Sequence, residues 1–326
     1  MYINDIKNVN NFISKHFVPK EKFYTEDFAK NLIKFGPLNE DNNFRIMIRP
    51  TDFCNFNCDY CFSYSKHKAN ALSIEQIDTF MDKIKDIPNT QNISFYIHGG
   101  EPFTYKHIWY LFDKIDQLNH KGNNTLLIQT NLSLFNIDDI PKILKYKNTK
   151  FAISVHQNIN YTDYIDKFKV LDKYNLIDNI EVMYTKHNKK NLTLYDILSL
   201  EFNNVDIYSI FNEMDKDIPR KVRDTDVNYK MITTTNQETL KFDDFYKKGL
   251  NYSFKGMLCE AGYKGILLNH DGNIYRCQAD LFIYKQPFTN IDNYVYTPNI
   301  KTKICNRDCC ICDLEYNRIK DDISGN

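Results

Sequence analysis

Residues 54–61 read Cys54-Asn-Phe-Asn-Cys58-Asp-Tyr60-Cys61, and the organisation of the whole chain follows from them. Three thiols at spacing C-x3-C-x2-C sit in a short loop directly after an apolar run, Phe44 to Ile48. Thiolates are soft ligands that select iron–sulfur clusters, zinc or Cu(I). Four cysteines normally close a cubane cluster. Three in one tight loop leave one metal corner free, much as catalytic zinc sites keep a position for substrate. On spacing alone, a zinc site completed by His67 or His98 stays open.

Working outward, the flanking chain alternates between short apolar runs and amphipathic stretches. Strands are expected at Phe44–Ile48, Ile93–Ile97, Thr125–Gln129, Phe151–Val155, Glu181–Tyr184 and Val205–Ile210. Ser73-Ile-Glu-Gln76 is a capping box that opens a helix with Ile77, Phe80, Met81 and Ile84 on one face. Further helices are expected at 108–118, 137–146, 162–174 and 192–202. Parallel strands need crossovers, so this alternation predicts an α/β fold: a parallel sheet with helices outside.

In such folds chemistry sits at the carboxyl ends of the strands. Each polar motif of this chain falls there. The cysteine loop follows the first strand and His98-Gly99-Gly100-Glu101-Pro102 the second. Gln129-Thr130-Asn131 follows the third, Ser154-Val-His156-Gln157 ends the fourth, and Thr185 to Asn188 follows the fifth. Taken singly, each has a plainer reading: a tight Gly-Gly turn, a helix N-terminal carboxylate at Glu101, a core tyrosine at Tyr60, a structural histidine at His156. Taken together, they cluster at one end of the sheet.

The order C-x3-C-x-aromatic-C, then Gly-Gly-Glu-Pro about 40 residues later, resembles the radical S-adenosylmethionine (SAM) superfamily. That resemblance implies a partial (β/α)6 TIM-like barrel over 44–215, preceded by a helical extension over 1–43. It implies that Cys54, Cys58 and Cys61 hold a [4Fe–4S] cluster whose free iron is chelated by SAM. Gly99, Gly100 and Glu101 would meet the SAM amino group, and Tyr60 would pack beside adenine. Thr130-Asn131-Leu132 is similar to the family's Thr-Asn-Gly turn, with Leu in place of Gly. Ser154 matches a strand-end serine that approaches the SAM ribose. The family's following Asp-Gly is replaced by His156-Gln157, so His156, with His98, is a candidate catalytic residue facing substrate.

A second cysteine group lies in the tail. Cys259 and Cys277 frame a C-x12-G-x4-C run with Asp271-Gly272 as a hairpin turn signal, and Cys305, Cys309, Cys310 and Cys312 follow. A zinc ribbon is the plain reading of that spacing. The run also resembles the SPASM and twitch auxiliary-cluster domains, expected here over 216–326 with its linker as a small domain containing a β-hairpin. A full SPASM domain needs more cysteines than the six of this tail, whereas one auxiliary [4Fe–4S] cluster needs about four. The expected ligands are Cys259, Cys277, Cys309 and Cys312, with Cys305 and Cys310 as possible replacements.

Composition narrows the remaining classes. Over 326 residues Lys+Arg and Asp+Glu both number 42, so no basic excess points to nucleic acid. No apolar run approaches a membrane span, and residues 1–5 lack the features of a signal peptide. Nine cysteines in two clusters suit metal binding in a reducing cytoplasm better than disulfides. The resemblance implies reductive SAM cleavage with an electron donor such as flavodoxin or ferredoxin. The expected substrate is a peptide; a sugar or cyclitol dehydrogenase is the rival enzyme, and a non-catalytic iron–sulfur or zinc protein the rival of another class.

Overall fold

Six parallel strands form the body of the structure, a computed structural model. They are β1 (Asn43–Ile48), β2 (Asn92–Ile97), β3 (Thr125–Thr130), β4 (Thr149–Val155), β5 (Ile177–Tyr184) and β6 (Val205–Ser209). The residues described are 43–58, 61, 70–88, 91–118, 124–156, 164–184, 197–198, 200–202, 205–209, 230–232, 239–241, 258–259, 261–262, 265–282, 284–296 and 303–304. The expected helices over 1–43 and most of that over 192–202 lie outside them.

Each strand sends alternate side chains to opposite faces. Phe44, Ile46 and Ile48 of β1 and Ile93, Phe95 and Ile97 of β2 all lie in the main apolar core. There they meet Ile77 and Phe80 of α1 (Ile74–Ile84), Leu111 and Phe112 of α2 (Ile108–Gln117), and Phe168 and Leu171 of α4 (Ile165–Lys173). The capping box that opens α1 forms with both reciprocal bonds: Gln76 N donates to Ser73 Oγ at 3.2 Å and Ser73 N to Gln76 Oε1 at 2.9 Å. The expected helix over 137–146 is shorter, a 3-10 turn at Ile137–Asp139 running into α3 (Ile140–Ile143), with Pro141 in its first turn.

The other face of the sheet is the inner one, and it is polar where the outer is apolar. Tyr96 donates from its hydroxyl to Gln129 Oε1 at 2.6 Å, and Asn179 Nδ2 to Glu181 Oε1 at 3.0 Å. Among the described residues, Met47, Leu267 and Tyr275 make an apolar floor on this face.

The tail contributes β7 (Lys230–Ile232), β8 (Thr239–Lys241), β9 (Leu258–Cys259), β10 (Gly265–Leu268), β11 (Asn273–Tyr275), α5 (Gln278–Phe282), β12 (Thr289–Asn290) and β13 (Lys303–Ile304). The Asp271-Gly272 hairpin forms as expected. Gly272 N donates to Asn269 O at 2.9 Å, and Gly272 takes φ +80°, a conformation glycine accepts freely. The hairpin joins the barrel sheet directly. Strand β10 pairs in parallel with β1, Arg45 opposite Gly265 and Ile48 opposite Leu268, giving a nine-stranded order β12-β11-β10-β1-β2-β3-β4-β5-β6.

Candidate active site

The cysteine loop is held by the Gly-Gly turn. Gly100 N donates to Thr51 O at 3.1 Å and Glu101 N to Phe53 O at 2.7 Å, so the chain leaving β2 is bonded to two of the three residues that precede Cys54. The approach is too close for any side chain: a Cβ on Gly99 would meet Thr51 O at 2.7 Å, and one on Gly100 would meet Phe53 O at 1.8 Å. Both glycines are therefore required by contact, and Gly99 also by its φ of +136°.

Cys54, Cys58 and Cys61 are each partly exposed. Cys61 N donates to Cys58 O at 3.1 Å, which tightens the loop. Two N–H groups point at the first sulfur, Phe56 N at 3.4 Å and Asn131 Nδ2 at 3.9 Å. Burial pushes the Cys54 thiol up to about 11, while the Phe56 N–H favours the thiolate. Bonding to metal offsets that cost, since a coordinating thiol is deprotonated outright. Among the described residues no three His, Cys, Asp or Glu side chains converge on a point where one metal ion would sit. His98, the other zinc ligand considered, is buried beside the Arg49 guanidinium, whose charge disfavours a dication there. His67, the remaining zinc ligand considered, lies outside the described residues; the three thiols of the loop suit an iron–sulfur cluster.

Glu101 is almost fully buried, and its carboxylate accepts three hydrogen bonds from two separate turns. It accepts from Thr130 Oγ1 at 2.6 Å, Asn131 N at 2.8 Å and Phe103 N at 3.2 Å. Burial raises it to about 7 against the opposing pull of those donors and of Lys167. Glu101 thus fastens the Gly-Gly turn to the turn after β3. Any bond to a SAM ammonium would be added to this structural duty.

That second turn explains how Leu132 replaces glycine. Leu132 adopts φ +61°, the left-handed conformation that glycine would take, and is fully buried. Thr130 Oγ1 accepts from Leu132 N at 2.9 Å, Asn131 Oδ1 accepts from Ser133 N at 3.0 Å, and Lys167 Nζ donates to the carbonyls of Leu132 and Ser133 at 2.9 and 3.0 Å. These bonds over-determine the backbone, and burial of the side chain offsets the strain. Leu132→Gly is expected to relieve about 1 kcal/mol of backbone strain but forfeit about 2–3 kcal/mol of burial. The net loss of about 1–2 kcal/mol would appear as a lower urea midpoint at unchanged slope.

On the inner face, register places Arg49, His98, Ser154 and His156 near the ends of β1, β2 and β4. His98 stacks on Tyr96 with ring centroids 5.1 Å apart. Burial and the neighbouring Arg49 charge push it down to about 3, so the imidazole is neutral. His156 lies against the cysteine loop, its Nδ1 3.7 Å from Cys58 Sγ and its ring edge-on to Phe56. Burial lowers it to about 4. Ser154 is buried at the end of β4. Tyr60 lies outside the described residues.

Residues 48–182 match the family model described as Radical SAM superfamily. The chain carries a radical SAM domain. Its fold agrees: anSMEcpe with bound AdoMet superposes with a TM-score of 0.55 at 17% identity, covering 78% of this chain and 79% of the other. The same protein with AdoMet and the Cp18Cys peptide gives 0.53 at 16% identity, covering 77% and 78%. Among sequence relatives, an uncharacterised protein of Synechocystis sp. is 34% identical over 100 residues, 30% of this chain and 24% of that one. The match therefore spans about a quarter of that relative's length. An uncharacterised protein of Methanocaldococcus jannaschii is 22% identical over 286 residues, 80% of this chain and 93% of the other. No helix among the described residues is long and apolar enough to cross a membrane.

Beside the radical SAM domain, the tail thiols are only partly in view. Cys277 follows β11 and is partly exposed, and the Cys259 backbone pairs with Lys303 across β9 and β13. Cys305, Cys309, Cys310 and Cys312 lie outside the described residues. Several site residues carried no motif in the sequence. Arg49 and Asn269 stand one residue beyond adjacent strands and are bonded across 220 positions. Asp52 and His270 approach at 3.4 Å between Oδ2 and Nε2, tying the hairpin turn to the segment before Cys54. A positional signal was present for two of them: Arg49 and Asn269 each directly follow an apolar strand, on the side where the recognised motifs lie.

Proposed function

We propose that this protein is a radical SAM enzyme that removes a hydrogen atom from a peptide substrate. The carrying observation is the bonded unit of cysteine loop, Gly99-Gly100-Glu101 and Thr130-Asn131, which couples the thiols to the turn that would receive SAM. Cys54, Cys58 and Cys61 would hold a [4Fe–4S] cluster, and Glu101 with the Gly-Gly backbone would take the SAM amino group. When bound, cluster and SAM supply a 5′-deoxyadenosyl radical, the species that abstracts hydrogen. The chain's own part is to fix those groups, with Phe56 N and Asn131 Nδ2 donating to sulfur, and to shield the inner face from water. Thr130 and Asn131 hold the Glu101 carboxylate rigid; His98, being neutral, can exchange a hydrogen bond with substrate but not a full charge.

The fold similarity to a protein solved with AdoMet and a peptide supports a peptide substrate. The tail is proposed to hold an auxiliary [4Fe–4S] cluster through Cys259, Cys277, Cys309 and Cys312. Pairing of Cys259 with Lys303, two residues before Cys305 in sequence, favours Cys305 as the replacement ligand if one of these four is not used. A flavodoxin or ferredoxin would deliver electrons, in a cytoplasm that keeps nine cysteines reduced.

Anaerobic reconstitution with SAM and dithionite tests the chemistry. We expect about eight irons per chain by the four-thiolate rule, and 5′-deoxyadenosine as product. Iron incorporation without any 5′-deoxyadenosine would leave the non-catalytic reading standing. Turnover of a free sugar or cyclitol, with no activity on any peptide, would remove the peptide assignment.

A further inference from the structure

Arg49 is a buried cation of the inner face with no role in the proposed SAM chemistry. It lies one residue past β1, flanked by His98 after β2 and Asn269 after β10, and it is 3% exposed. Two of its surfaces are occupied. Nη1 donates to Asn269 Oδ1 at 2.9 Å, and the Phe282 ring of α5 covers a face of the guanidinium with Cζ 4.8 Å from its centroid. The other two nitrogens, Nε and Nη2, are buried and have no hydrogen-bond partner among the described residues. His98 Nε2, one residue past the neighbouring strand, is likewise buried with no partner among the described residues.

The identity of the two orphaned atoms is informative. Nε and Nη2 carry the N–H bonds that run parallel along one edge of a guanidinium, the fork that a carboxylate accepts with both oxygens. Buried donors are almost always satisfied, and a charged one left bare is more costly than a neutral one. The protein has fastened the third nitrogen and one face, and left that edge.

We propose that Arg49, oriented by Asn269 and Phe282, binds a carboxylate of the substrate side-on through Nε and Nη2, with His98 Nε2 as a neighbouring polar contact. The ligand is a planar monoanion: one buried guanidinium supplies a single positive charge, His98 is neutral, and Asp52 adds negative charge nearby. A peptide C-terminus, an Asp or Glu side chain or a free carboxylic acid all present that chemistry, whereas a phosphate dianion would be under-compensated. The inference rests on the inner face being the substrate site. It can fail while SAM cleavage stands.

The test uses reconstituted holoenzyme titrated by calorimetry with N-acetylglycine, N-acetylglycinamide and inorganic phosphate, with SAM titrated in the same preparations. Saturable binding of the acid is expected, with neither the amide nor phosphate matching it. Arg49→Gln should abolish that binding, and Arg49→Lys, which keeps the charge but loses the fork, should weaken it by roughly tenfold or more. If Arg49→Gln does not fold, Arg49→Lys decides. The proposal is overturned if the acid does not bind, if acid and amide bind equally, if phosphate binds more tightly, or if Arg49→Lys binds the acid as wild type does. SAM affinity falling in parallel with the acid would overturn it too, because the fork would then belong to the carboxylate of SAM.

Discussion

Replacing Cys54, Cys58 and Cys61 together by alanine is expected to abolish 5′-deoxyadenosine formation and to lower bound iron from about eight to about four per chain. The first effect follows from removing every thiolate that could hold the cluster facing SAM. The second isolates the tail, whose cysteines are untouched. The fold should survive, because these side chains are partly exposed and lie outside the apolar core that Phe44, Phe80 and Phe95 help to build. Circular dichroism should therefore overlay wild type while activity is absent. Residual 5′-deoxyadenosine from the triple variant would show that SAM is cleaved at another centre.

Gly100→Ala is expected to have the next largest effect, at a position that touches no reacting atom. Its Cβ would lie 1.8 Å from Phe53 O and 2.4 Å from Phe53 C, and both are backbone atoms with no rotamer to change. Relief requires β2's exit and the 51–53 segment to separate by more than an ångström. That would break the bonds from Gly100 N to Thr51 O and from Glu101 N to Phe53 O, and displace Cys54, the next residue. Overpacking of this kind destabilises by about 1–3 kcal/mol. Misplacement on the ångström scale at a reaction centre lowers rate by about 100-fold. We expect SAM cleavage reduced by about that factor, measured as initial 5′-deoxyadenosine rate at saturating SAM. A variant within about twofold of wild type would mean that the turn tolerates a side chain and the lock is not needed.

Much of this was legible before any coordinates. Alternating apolar runs announced the parallel sheet, because period-two and helical patterns arise from local backbone geometry and need no partner to be recognised. The strand-end position of Cys54, Glu101, Thr130 and Ser154 then followed from order along the chain. The capping box at Ser73 and the turn at Asp271-Gly272 were legible for the same local reason.

What tertiary structure alone decided was pairing and burial between distant residues. The tail hairpin was readable as a hairpin, but not as a continuation of the barrel sheet, since parallel pairing of β10 with β1 leaves no local trace in either segment. The Leu132 turn looked like a departure from a glycine pattern; only the bonds from Thr130, Asn131 and Lys167 show how a leucine is held at positive φ. Glu101 stood out as one carboxylate in a motif, yet its three donors come from two separate turns. Arg49 carried no motif, only its place directly after an apolar strand. Its meaning depends on Asn269, 220 residues away, taking one nitrogen while two others stay buried with no partner among the described residues. A sequence fixes which donors exist; only the folded chain fixes which of them are already satisfied.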